Sequence, residues 1–93
     1  MRISLATRIQ NAALDTLQYI VFANELMHDG ELEQRISYQA QALTSCRLLL
    51  VLIDVSLERG LIDTRRAEYW AGLALEVKTM LTAWRKKDIS RKA

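Results

Sequence analysis

The side chains that could carry acid–base, nucleophilic or metal chemistry are few and scattered. The chain has one histidine, His28, and one cysteine, Cys46, whereas zinc and haem sites need several ligands converging on one point. Asp54 and Glu58 stand four apart and share a helix face, and Glu76 falls on the next predicted helix. A di-iron bundle would also need Glu-x-x-His pairs, which the sequence lacks. These carboxylates therefore read as solvated charges or as partners of Arg47 or Arg59. His28 sits at a predicted turn, and Cys46 adjoins an apolar run, where a free thiol behaves as a small hydrophobe. No glycine-rich phosphate loop or nucleophile elbow is present. The expectation is a protein without enzyme chemistry and without a cofactor or metal.

The charge distribution is more informative. Net charge is only +2, yet residues 1–64 hold five Lys/Arg against eight Asp/Glu, and residues 65–93 hold eight against three. The excess is concentrated in Arg85, Lys86, Lys87, Arg91 and Lys92. Such a cluster can neutralise phosphates, so these five residues are the candidate nucleic-acid contacts. Solubilising charge is the competing explanation, and cations near a helix C-terminus are favoured in any case by the macrodipole. Trp70 and Trp84 could stack on bases, but their place on an apolar stripe assigns them to packing.

The elements that must carry these residues are helices. Proline is absent and glycine occurs only at positions 30, 60 and 72, which removes the usual breakers. A first helix is expected from about Leu5 to Met27, capped by Ser4. Its solvated stripe is Arg8, Asn11, Asp15, Gln18 and Glu25, and its core stripe Ile9, Ala13, Leu17, Ile20 and Met27. His28, Asp29 and Gly30 form a tight connection, with Gly30 available for the left-handed conformation. A second helix follows from Glu31 to Arg59, with Leu32, Ile36, Ala40, Leu43, Leu50, Ile53 and Leu57 at core spacing. It ends in a Schellman turn at Gly60-Leu61. Asp63 or Thr64 caps a third helix that reaches about Lys87, with Trp70, Leu73, Ala74, Val77, Leu81 and Trp84 on its apolar face. Short connections make neighbours antiparallel. The expected architecture is all-α, an antiparallel bundle of three long helices over residues 1–87 followed by a basic tail, 88–93.

Hydrophobic residues make up 51% of 93 positions, more than one small domain can cover alone. Leu48 to Ile53 is apolar all round, which demands cover on more than one side. Leu48, Leu49, Val51 and Leu52 are thus the expected seam of a homo-oligomer. That run is too short to span a bilayer, and Met1 to Gln10 lacks the apolar segment of a signal peptide. A lone cysteine fits a reducing compartment. Together these place the protein in the cytoplasm, away from membranes.

The order of segments resembles the Avd-like four-helix-bundle family, named for the accessory variability determinant of diversity-generating retroelements. Leu5-Ala6-Thr7-Arg8-Ile9-Gln10-Asn11-Ala12-Ala13-Leu14-Asp15 is similar to that family's helix opening, and Leu48-Leu49-Leu50 to Arg59-Gly60-Leu61-Ile62-Asp63 to its long helix and leucine-rich turn. Ala67-Glu68-Tyr69-Trp70 and Leu75-Glu76-Val77-Lys78-Thr79-Met80-Leu81-Thr82-Ala83-Trp84 resemble its last helix, which ends in a tryptophan and basic residues. Two departures stand out: Thr82-Ala83 replaces the small glycines before the terminal tryptophan, and Met1-Arg2-Ile3 stands where the family has a further helix. The resemblance implies a non-catalytic subunit, in a ring of conventionally five, that binds a reverse transcriptase and RNA or DNA to support mutagenic complementary-DNA synthesis. Arg85, Lys86 and Lys87 match its basic surface. The alternatives are a structural oligomerisation module and a bundle protein of the kind encoded within ribosomal RNA insertions.

Overall fold

The computed structural model describes residues 4–26 and 28–92; Met1, Arg2, Ile3, Met27 and Ala93 lie outside this account. The described residues are all-helical: α1 (Leu5–Glu25), a 3-10 turn (Asp29–Glu31), α2 (Leu32–Glu58) and α3 (Thr64–Arg91). Local chemistry sets the boundaries. The Ser4 hydroxyl accepts from the Thr7 N–H at 3.1 Å, and the Asp63 carboxylate accepts from the Arg66 N–H at 2.7 Å, so each cap satisfies a donor that the first turn leaves open. At the end of α2, Gly60 adopts φ 70°. Its N–H donates to the Leu57 carbonyl at 3.0 Å and the Leu61 N–H to the Ser56 carbonyl at 2.9 Å, which is the predicted Schellman pair. Gly30 lies in the 3-10 turn without a positive φ, so the expected left-handed residue there is not used.

Both outer helices pack on α2 and not on each other, which gives a flat molecule of 47 × 29 × 16 Å. Ala12, Thr16 and Ala23 are the buried positions of α1, small enough to let its backbone approach α2 closely. This turns the helix from the face its apolar stripe predicts. Ala13 and Leu17 remain exposed, with Leu17 at 58%, whereas the solvated stripe from Arg8 to Glu25 is exposed as expected. On α2, Ile36, Leu43 and Ile53 are buried as expected, joined by Gln39, Ala42, Cys46, Leu52 and Ser56. Ala42 and Leu43 meet Leu81 of α3, flanked by Tyr19, Ile20, Val77 and Trp84. Beside them Tyr19 stacks on Tyr38 with ring centroids 6.1 Å apart, and Phe22 meets Tyr38 edge-on at 5.4 Å.

The central place of α2 explains part of its apolar character. By length and composition alone α2 could cross a membrane, a wider span than the run Leu48 to Ile53 suggests. A helix sandwiched between two others in a soluble protein needs the same composition. Leu52 is only 6% exposed, so it packs inside the chain and offers no surface for the expected seam. Leu48 and Val51 are 52% and 56% exposed on the outer face of α2, and Leu49 is half-buried.

Candidate nucleic-acid interface

The basic run of residues 85–92 is not a loose tail. α3 continues through Arg91, and Asp88 within it is 2% exposed, so no break separates residues 88–91 from the folded chain. A buried carboxylate needs charge and hydrogen bonds around it. Arg35 Nε donates to Asp88 Oδ2 at 2.8 Å and Gln39 Nε2 to the same oxygen at 2.7 Å. Arg91 Nη1 reaches Oδ1 at 3.5 Å. Arg35 also donates through Nη1 to the carbonyl of Leu26 at 3.2 Å, just beyond α1, and its guanidinium carbon lies 4.9 Å from the centroid of the Trp84 ring. One guanidinium thus joins the end of α1, the start of α2 and the end of α3. Two polar atoms in this region, Gln39 Oε1 and Arg85 Nε, are buried without a hydrogen-bond partner.

This anchor holds the last turns of α3 against the folded chain, with Lys92 at its C-cap, but does not gather the five predicted cations on one face. At about 100° per residue, Lys86 points away from the core, Lys87 and Arg91 lie on one flank, and Arg85 and Lys92 on the other. Arg85 is half-buried, Arg91 faces Asp88, and Lys92 Nζ pairs with Glu33 Oε1 at 3.2 Å. Lys86 and Lys87 are exposed, with no ion pair among the described residues. The cation cluster therefore wraps the last turns of α3, and its freest members are these two lysines. Asp88 went unread in the sequence; the available signal was a single acid inside a basic run.

The other candidates sort simply. Trp84 is half-buried against Arg35 and the Leu81 cluster, and Trp70 is 36% exposed. His28 is exposed, its backbone N–H donating to Glu31 Oε1 at 3.3 Å. Asp54, Glu58 and Glu76 are exposed, and no group of three or more potential metal ligands assembles among the described residues. Cys46 is fully buried and donates to the Ala74 carbonyl at 3.2 Å. Burial pushes its thiol pKa up, against a smaller downward pull from Lys78, so the group stays protonated and unreactive at neutral pH.

A second feature lies in the half of the molecule away from the Asp88 anchor. Because α1 and α3 meet α2 without closing on each other, a groove of about 830 Å³ runs between them. Ile9, Ala13, Leu17 and Ile20 form one wall, and Trp70, Leu73 and Val77 the other. The predicted apolar stripe of α1 and the first half of that of α3 thus line an opening. On the floor, Ser56 Oγ is buried without a hydrogen-bond partner. Comparison of the chain with protein families, curated proteins and solved structures yields no match.

Proposed function

We propose that this chain is a non-catalytic accessory protein that binds RNA or DNA through the C-terminal turns of α3. The observation that carries the reading is the exposure of Lys86 and Lys87 on a helix end clamped by the Asp88–Arg35 pair. Fixed cations of this kind bind the phosphate backbone and read little sequence. The likeness to Avd-like proteins extends the proposal to a cytoplasmic partner of a reverse transcriptase in a diversity-generating retroelement, arranged as a four-helix-type bundle. Self-association, the second part of the proposal, would repeat the cationic end on each copy and raise avidity.

Binding to single-stranded RNA followed against salt tests the first part. Wild-type affinity should fall steeply with ionic strength. The double substitution Lys86→Glu and Lys87→Glu should weaken binding and flatten the salt slope by roughly two, with helicity unchanged because both side chains are exposed. Wild-type protein that binds neither nucleic acid nor a reverse transcriptase at low salt would defeat the reading. The alternative, a structural oligomerisation module, draws on the open apolar groove.

A further inference from the structure

The groove is paired with a large excess of surface. The chain exposes 6796 Å², whereas a compact monomer of 10.7 kDa exposes about 5,500 Å². The difference, about 1,300 Å², exceeds the roughly 800 Å² that each partner contributes to a standard protein interface. Apolar side chains are exposed on both sides of the groove. Beyond the α1 wall, Leu14 is 62% and Val21 45% exposed, and beyond the α3 wall Tyr69 is 65% and Met80 71% exposed. Leu14, Leu17 and Val21 step by three and four and so form a continuous ridge on α1.

The geometry points to a second copy of this chain as the occupant: the α1 ridge of each copy seats in the groove of the other, in a two-fold pair. A groove between two helices over a third takes a helix, and α1 has an apolar ridge beside that groove. An isologous contact uses one patch on both partners, and α1 supplies wall and ridge together, since Leu17 belongs to each. This inference deepens the self-association part of the proposed function and is independent of nucleic-acid binding. It moves the contact from Leu48 and Val51 on the outer face of α2 to the groove, which the expected seam residue Leu49 also lines, and replaces a five-membered ring by pairing.

Light scattering coupled to gel filtration of the full chain, over a concentration series, tests it. Wild-type protein should be a dimer or an even-numbered assembly of dimers. Leu14→Glu on the ridge and Leu73→Glu on the wall should each raise the dimer dissociation constant by on the order of 100-fold, because each places a charge in an apolar contact. Leu48→Glu on the outer face of α2 should leave it unchanged. The substituted side chains are 62%, 47% and 52% exposed in the single chain, so circular dichroism of the dissociated variants should show unchanged helicity. A wild-type monomer overturns the inference, even one that binds an apolar dye, which would make the groove a small-molecule site. An odd-numbered ring overturns it too, as does dissociation by Leu48→Glu with the groove variants intact. Loss of RNA binding in the Lys86/Lys87 variant with the dimer preserved leaves it standing, so the two readings fail separately.

Discussion

The two halves of this molecule solve the same problem differently. Around Asp88 the three helices are tied together by a buried carboxylate, an arginine bonded to two helices besides its own, and a cluster of aromatic rings. In the other half the walls stand apart and leave leucines, a tryptophan and a buried hydroxyl facing an opening. Polar contacts are directional and close a structure at one geometry. Apolar walls define no unique closure and accept any matching ridge. A flat three-helix chain can therefore be specific at one end and receptive at the other.

The comparison is broken most forcefully at Asp88. Asp88→Ala should cost about 3–5 kcal/mol, because it leaves Arg35 charged and partly buried without its carboxylate. Urea unfolding monitored by circular dichroism measures this, and a loss below about 1 kcal/mol would mean that the anchor behaves as an ordinary surface pair. Trp84→Ala should cost about 2–3 kcal/mol, less than a fully buried tryptophan, since the ring is only half-buried yet carries the Arg35 contact. In the same assay, unchanged stability together with lost RNA binding would reassign Trp84 to base stacking. Gly60→Ala should have the smallest effect, about 1–2 kcal/mol, from forcing a side chain into the left-handed region. Nothing lies within 4 Å of the added carbon, so the cost is conformational, and Gly60→Asn should recover part of it.

The caps were legible because their chemistry is local. Ser4, Asp63 and Gly60 act on partners within five residues, and sequence spacing states such relations directly. The helix count followed from the same signals. The apolar stripes of α1 and α3 were also visible, but periodicity reports which residues share a face and not which face closes. Small residues won on α1: Ala12, Thr16 and Ala23 permit a close approach, and Leu17 was displaced to the groove wall. The burial of Leu52 within its own chain was hidden for a related reason, since an all-round apolar helix looks the same whether its own chain or another covers it. Asp88 was hidden by distance. Its partners Arg35 and Gln39 lie 53 and 49 residues away, and a lone aspartate among lysines and arginines looks like charge balancing.

The Schellman turn at Gly60 has a consequence for how the chain is read during synthesis. It ends α2 after both the α1-facing and the α3-facing residues of that helix have been made, so α1 and α2 can form a hairpin before α3 exists. Such a nascent hairpin presents Cys46, Ile53 and Ser56 as bare surface that only the arrival of α3 covers. The order of translation delivers the groove wall of α3, Trp70 to Val77, before the anchor residues Trp84 and Asp88, so the receptive half of the molecule receives its second wall while the polar fastening at the other end is still unmade.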